Sequence, residues 1–245
     1  MYISIKEATE IQKELANKVI TEDMPGNINY VAGIDVSQQA FKKERVTKNP
    51  DKNSSFSSRF LYTPASQDVP FYAAVVVHSF PDLKIVEKAD HSEHVDFPYI
   101  PGFLAFREVP VIVKALEKIK TKPDVILVDG HGISHPRGLG IASHMGILTG
   151  YRTVGCAKSI LAGKPETDLP PEKGSFVSLV WKGKIVGNVV RTKDKVNPVY
   201  VSTGHKITLK KATEIVIACT TKYRIPEPLR SAHDHANYVR KNNFV

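Results

Sequence analysis

Three acidic residues stand where a hydrolytic site could form. Asp35 ends the apolar run 30–34, and Asp129 ends the apolar run 125–128. Both runs have the composition of buried strands, so each acid is expected at the carboxyl end of a strand. Glu108 lies between them in the chain, on the turn that leads into a predicted helix. If the two strands are adjacent and parallel, the three carboxylates meet at one edge of a sheet.

Carboxylates held that close repel one another unless a cation lies between them. The cluster offers oxygen ligands without cysteine or a close histidine pair, which favours Mg²⁺, with Mn²⁺ as a possible substitute, over zinc. Such an ion can activate water and neutralise charge on a phosphate, so phosphodiester hydrolysis is the natural chemistry. Each acid taken alone also fits a turn former or a strand cap. The three together also fit integrases, resolvases and ribonucleases.

The order of the predicted elements would bring these acids together. Apolar residues at helical spacing predict an opening helix from Ile5 to Val19. Strand and helix periodicities then alternate along the chain. The predicted elements are strands at 28–36, 71–80 and 83–90, a helix near 111–119, a strand at 125–128, a helix at 141–148 and a strand at 151–156. This order predicts an α/β fold of the ribonuclease-H-like type, with helices flanking a mixed sheet in the order 3-2-1-4-5.

The C-terminal part of the chain predicts additions to that core. A hairpin is expected from 176–181 and 184–190, joined at Gly183, and closing helices are expected at 209–220 and 229–240. One polar segment, 41–69, lies where a tight turn would suffice, and it is rich in lysine and serine. It is interpreted as a basic insertion that grips nucleic acid, although a solvated loop without a role fits equally well.

Composition bounds the rest. A length of 245 residues with 42% hydrophobic and 24% charged residues is ordinary for one globular domain spanning 1–245. Lysine and arginine total 34 against 25 acidic residues, and the formal charge of +9 favours a polyanionic partner such as nucleic acid, although solubility alone also explains it. Cys156 and Cys219 lie among apolar residues, as buried reduced thiols do. With no signal-peptide or membrane-spanning pattern, a cytoplasmic monomer without a membrane partner is expected.

Four motifs, in the same order, resemble the endonuclease V family. The segment 98–108, PYIPGFLAFRE, closely resembles the signature of that family. The segments GIDVS at 33–37, DGHGISHPRGLGIA at 129–142 and GCAKS at 155–159 match as well. The resemblance is weaker over 187–233, and it departs at 41–69, which the family pattern lacks.

The resemblance implies an enzyme of DNA repair that recognises deaminated adenine, as hypoxanthine in DNA or inosine in RNA. It implies hydrolysis of the second phosphodiester bond on the 3′ side, without excision of the base. In the family, the acids at the positions of Asp35, Glu108 and Asp129 bind the metal. Lys158 matches a lysine near the scissile phosphate, and His233 matches an active-site histidine.

The same resemblance assigns residues to nucleic-acid binding. The segment Pro98, Tyr99, Ile100 and Pro101 matches a strand-separating wedge, in which the prolines stiffen the tip and the tyrosine ring fills the gap left by an extruded base. Glycines would admit the base, apolar residues would wall its pocket, and a basic pair would meet phosphate. These residues are Gly102, Gly130 and Gly155; Leu104, Ile141 and Leu161; and His135 and Arg137.

Simpler interpretations and two other functions remain open at this stage. An aromatic residue between prolines is usually a packed loop, and single glycines are usually turn residues. A catalytically silent ribonuclease-H-like module could hold inosine-containing nucleic acid for a partner, although the presence of all three acids argues against it. An endonuclease for branched or unpaired DNA would use the same wedge and carboxylates.

Overall fold

The computed structural model describes residues 4–38, 70–95, 97 and 100–243. Within these residues the chain forms one nine-stranded mixed sheet with five helices packed around it. The helices are α1 Ile5–Ala16, α2 Leu104–Leu116, α3 Ile141–Thr149, α4 Leu209–Ala218 and α5 Glu227–Asn242. The strands are β1 Tyr30–Gln38, β2 Pro70–Ser79, β3 Ile85–His94, β4 Val125–Val128, β5 Thr153–Ala157, β6 Lys164–Pro165, β7 Phe176–Trp181, β8 Lys184–Val190 and β9 Val199–His205.

The strand order is β3-β2-β1-β4-β5-β9-β8-β7-β6, so the predicted order 3-2-1-4-5 is confirmed as one half of a wider sheet. β1 pairs antiparallel with β2 and parallel with β4, and β4 pairs parallel with β5. The predicted C-terminal hairpin, β7 and β8, joins the same sheet through β9, a strand that the sequence patterns did not predict. The carboxyl ends of β1, β4 and β5 therefore meet at one edge.

Helices cover both faces of the central strands. Ile34 of β1 packs in one apolar core with α2 and α3, whereas Val31 packs in a second core with α4 and α5. Because side chains alternate across a strand, Gly33 and Asp35 share the α5 face with Val31. A Cβ added at Gly33 would lie only 2.0 Å from the Pro228 carbonyl oxygen, so the glycine permits the close approach of α5 to β1.

Helix α2 begins earlier than its apolar pattern predicts. Pro110 lies inside it, and a proline within a helix removes a backbone hydrogen bond and usually marks a boundary. The structure accommodates Pro110, and Glu108 therefore stands within the helix instead of on the turn before it. Cys156 and Cys219 are free and buried, as predicted. In the described part of the chain, no helix is long and apolar enough to cross a membrane.

Candidate active site

The three predicted acids converge at the carboxyl edge of the central strands. Asp129 directly follows β4, and its backbone N–H lies 3.4 Å from the Ile34 carbonyl oxygen, which places it beside Asp35 of the parallel strand β1. Glu108 reaches the same place from α2. Burial, and then the negative charges of Asp35 and Asp129, raise the pKa of Glu108 to about 8, while Arg107 opposes the rise. Glu108 therefore lies close enough to Asp35 and Asp129 for their charges to act on it.

Two basic side chains each hold one of these acids. Lys158 lies just beyond β5, and its ammonium donates a hydrogen bond to Asp129 Oδ2. His233 lies on α5, and its Nδ1 is 2.7 Å from Asp35 Oδ2. Burial and the charge of Asp129 raise the pKa of Asp35, while His233 and Lys158 oppose the rise. Burial acts to lower the pKa of Lys158, but the hydrogen bond and charge of Asp129 outweigh it and the pKa is raised. The ion pair with Asp129 therefore favours the charged form of Lys158.

The donor set suits a hard divalent cation, although it is not a ready-made metal site. Within residues 4–38, 70–95, 97 and 100–243, no three His, Cys, Asp or Glu side chains form a group that could hold a metal as they stand. Asp35 and Asp129 are each engaged by a basic side chain. Burial first, and then neighbouring negative charge, keep the pKa of Asp35 and that of Glu108 raised, so a bound cation would favour the ionised form of both carboxyl groups. Clustered carboxylate oxygens are the ligands that Mg²⁺ and Mn²⁺ prefer.

A cavity of about 340 Å³ opens beside the acids. Its volume lies in the range of small-ligand sites. Gly130, which follows Asp129, lines the cavity, and a Cβ added there would lie 2.5 Å from Ile141 Cγ2. A side chain at Gly130 would therefore displace the cavity wall. Residues predicted from the sequence that line it are Ile100, Pro101, Gly102, Leu104, Gly130, His135, Ile141 and Leu161.

Gly155 stands behind the cavity and does not line it. A Cβ added at Gly155 would lie 2.4 Å from the backbone nitrogen of Gly132 and 2.8 Å from the carbonyl oxygen of Gly130. Its missing side chain therefore lets the loop after β4 pack directly on β5. Gly155 shapes the cavity through that loop.

The Gly102 carbonyl oxygen gathers three hydrogen bonds at the cavity rim. Gln12 Nε2 and Arg137 Nη2 each donate to it at 2.8 Å. The third hydrogen bond comes from His135. Its Nδ1 accepts from the backbone N–H of Arg137, so the proton of the neutral ring lies on Nε2, which is 3.2 Å from the Gly102 carbonyl oxygen and donates to it. Burial, with the charge of Arg137, lowers the pKa of His135 to about 4, so the ring stays neutral. His135 and Arg137 therefore hold Gly102 in place, and their contact with a phosphate stays a prediction.

Three residues near the site were not predicted from the sequence. Gln12 of α1 is fully buried, lines the cavity and accepts a hydrogen bond from Arg137. His131 also lines the cavity, and burial lowers its pKa to about 4. Asn237 of α5 contacts His233. Gln12 follows Ala8 by four residues and so lies on the same face of α1, and a polar residue on that face was a sequence signal for it.

Two predicted features fall outside the described residues. They are Pro98 and Tyr99 of the wedge, and the basic segment 41–69. Both stay predictions. Ile100 and Pro101, which complete the wedge segment, lie at the cavity rim.

Comparison with known proteins decides the family. The family model described as Endonuclease V matches residues 59–234. This chain belongs to the endonuclease V family. Endonuclease V of Gloeobacter violaceus is 43% identical over 236 residues, which cover 96% of this chain and 86% of the relative. The family assignment accords with the four sequence motifs and makes the chain a nuclease by relationship.

Solved structures of endonuclease V share the fold. That of Streptomyces avermitilis is 34% identical, with a TM-score of 0.82, and the match covers 100% of this chain and 96% of that one. The endonuclease V of Ciona intestinalis, solved in complex with a 24mer DNA containing an inosine followed by a ribo-adenosine, is 29% identical with a TM-score of 0.75, and the match covers 97% and 98% of the two chains. The ribonuclease-H-like fold predicted from the element order is thereby confirmed.

Proposed function

We propose that this member of the endonuclease V family is a divalent-metal-dependent enzyme that recognises hypoxanthine in nucleic acid and hydrolyses the second phosphodiester bond on its 3′ side. The observation that carries the proposal is a cluster of mutually repelling carboxylates beside a cavity of about 340 Å³. Gly130 joins the two features, because it follows Asp129 and lines the cavity. A base extruded into the cavity would bring its neighbouring phosphates toward the carboxylates.

Asp35, Glu108 and Asp129 would hold Mg²⁺, or Mn²⁺ in its place. When bound, the ion supplies positive charge that offsets the charge on the phosphate undergoing hydrolysis. Lys158 adds a second positive charge at the same edge, since the pKa of its ammonium is raised. His233 orients the Asp35 carboxylate through the contact of 2.7 Å.

The substrate proposal is supported by the relative from Ciona intestinalis, which was solved with inosine-containing DNA. The cavity wall is apolar at Leu104, Ile141 and Leu161, which suits the faces of a base. Inosine in DNA points to repair of deaminated adenine, and inosine in RNA is the second substrate to test. A cytoplasmic location and a monomeric state stay predictions from the sequence.

The test is cleavage of matched oligonucleotides by the purified protein. Substrates carry inosine or adenosine at one position, in DNA or RNA form, and one further DNA carries an unpaired flap without inosine. With Mg²⁺, we expect a single product that ends one nucleotide beyond the inosine on its 3′ side. Cleavage of the flap in preference to inosine, or a cut at another bond, would contradict the proposal.

Variants connect that activity to the site. Asp35→Asn, Glu108→Gln and Asp129→Asn should each lower cleavage at least ~100-fold while substrate binding is largely kept, because metal ligands act in the chemical step. Asp82→Asn, at an exposed turn residue, is the matched control and should cleave like the parent. A parental cleavage rate in Asp129→Asn would remove Asp129 from the site.

A further inference from the structure

The His233 ring is held between β1 and a polar network on α5. Its Nδ1 lies 2.7 Å from Asp35 Oδ2, and its Nε2 lies 3.0 Å from Asn237 Nδ2. Asn237 Oδ1 in turn accepts a hydrogen bond from Ser37 Oγ at 2.8 Å and one from Arg240 Nη2 at 3.2 Å. Both nitrogens of the ring are thus engaged within the protein.

Regular spacing in both elements produces this arrangement. Asp35 and Ser37 are two residues apart on β1 and point to the same face, while His233 and Asn237 are four residues apart on α5 and lie one turn above each other. The two repeats have similar lengths, about 6 to 7 Å. Each strand residue therefore meets one helix residue.

Arg240 determines how the Asn237 amide is turned. An arginine guanidinium has only donors, so the amide atom that faces it must be the carbonyl oxygen. The amide NH₂ then faces His233 Nε2, which must accept the hydrogen bond with its lone pair. The proton of the neutral ring is left on Nδ1, and it is donated to the Asp35 carboxylate.

We propose that Asn237 is a positioning residue that holds His233 as the Nδ1–H tautomer with the ring aimed at Asp35. Its consequence for cleavage rests on the proposed function. Because Asn237 occupies Nε2, His233 orients an acidic side chain and does not transfer a proton through Nε2 while that contact holds. Ser37 and Arg240 keep the amide from turning over.

The first test reads the proton directly. In the full chain with ¹⁵N-labelled histidine, at pH 8 and without divalent cations, nitrogen chemical shifts report which ring nitrogen carries hydrogen, and His233→Gln identifies the signals of His233. We expect a protonated Nδ1 and an unprotonated Nε2. In Asn237→Asp both ring nitrogens face carboxylates, which can only accept, so we expect Nε2 to gain a proton while Nδ1 keeps its own. A parent ring protonated on Nε2, or the same tautomer in both proteins, would overturn the proposal.

The second test measures cleavage of an inosine oligonucleotide. Asn237→Ala should lower kcat about 3- to 10-fold, the worth of one hydrogen bond, with KM within about twofold of the parent. Asn242→Ala, at an exposed asparagine near the end of the same helix, should change neither constant. A parental kcat in a folded Asn237→Ala protein, or a loss confined to KM, would refute the positioning role.

A milder variant covers the case in which Asn237→Ala does not fold. Ser37→Ala keeps Asn237 and Arg240 and removes one of the two donors to the amide oxygen, so kcat should fall by less than about threefold and the Nδ1–H tautomer should persist. A switch of tautomer in this variant would contradict the role given to Arg240. If the parent does not cut inosine oligonucleotides at all, the proposed function fails, whereas the nitrogen shifts still decide where the proton lies.

Discussion

Glu108→Gln should stabilise the metal-free protein while it abolishes cleavage. The Glu108 carboxyl is held against Asp35 and Asp129, and its pKa is raised from 4.5 to about 8, first by burial and then by those two charges. Glutamine keeps the shape and the polar atoms but carries no charge. The variant therefore removes a charge repulsion that destabilises the folded, metal-free protein.

The size and sign of the effect follow from the two pKa values. Below pH 4.5 the carboxyl is protonated in both folded and unfolded chains, so its contribution to stability is fully present there. As the pH rises, the unfolded chain releases the proton first, and stability is lost until the folded pKa of about 8 is reached. Between pH 5 and pH 8 the free energy of unfolding should fall by roughly 3 to 4 kcal/mol at this one residue. The Gln variant lacks this loss.

The assay is thermal unfolding of parent and variant in a chelating buffer at pH 5 and pH 8. The gap in Tm should widen by roughly 10 °C between the two pH values, at about 2–4 °C per kcal/mol for a chain of this size. Other titrating groups are present in both proteins and largely cancel. Glu117→Gln, at an exposed glutamate that caps the same helix, should show no such widening.

Addition of Mg²⁺ gives a second readout that does not depend on cleavage. At pH 8 it should raise the Tm of the parent, because a cation relieves the repulsion, and it should raise that of Glu108→Gln much less. Parallel loss of stability with pH in parent and variant would show that Glu108 does not titrate as inferred. Equal Mg²⁺ shifts would show that Glu108 is not a ligand.

Three further predictions concern the surroundings of the site. Burial lowers the pKa of His144 from 6.5 to about 4, so its stabilising contribution is present above pH 6.5 and declines as the pH falls. In urea unfolding, the parent should therefore lose about 2 kcal/mol of stability at this residue between pH 7.5 and pH 5, and His144→Met should not show that loss. An equal loss in both proteins would contradict this. Gln12→Leu removes one of the three hydrogen bonds to the Gly102 carbonyl oxygen. The ratio of kcat/KM for inosine to that for adenosine substrates should fall about 3- to 10-fold. An unaltered ratio would exclude Gln12 from shaping the pocket. Gly33→Ala places a Cβ 2.0 Å from the Pro228 carbonyl oxygen, so α5 must move away from β1. The free energy of unfolding should fall by about 3 kcal/mol and cleavage should be lost. A parental Tm and cleavage rate would refute that packing argument.

Much of the fold was predictable because its signals are local. The apolar runs before Asp35 and Asp129 have the periodicity of buried strands, and the alternation of strands and helices restricts how those strands can be ordered. The bounds of β4, β7 and β8 agree with the predicted ranges. The approach of the two aspartates then follows from parallel pairing alone.

Other features depended on contacts that no local pattern encodes. β9 was not predicted, yet it joins the C-terminal hairpin to β5 and so widens the sheet. The start of α2 was predicted too late in the chain because of Pro110. A proline normally ends a helix, and here the tertiary packing overrides that preference. Glu108 consequently reaches the candidate site from within the helix.

By itself, the sequence determined which residue types could do chemistry and which strand ends would carry them. Only the tertiary structure decided which side chains hold them in place. Gln12 reaches Gly102 across 90 residues of chain, and Ser37 reaches Asn237 across 200. Periodicity records how a segment folds on itself, whereas a hydrogen bond between distant segments depends on how whole helices pack on the sheet, and that packing exists only once the chain has folded.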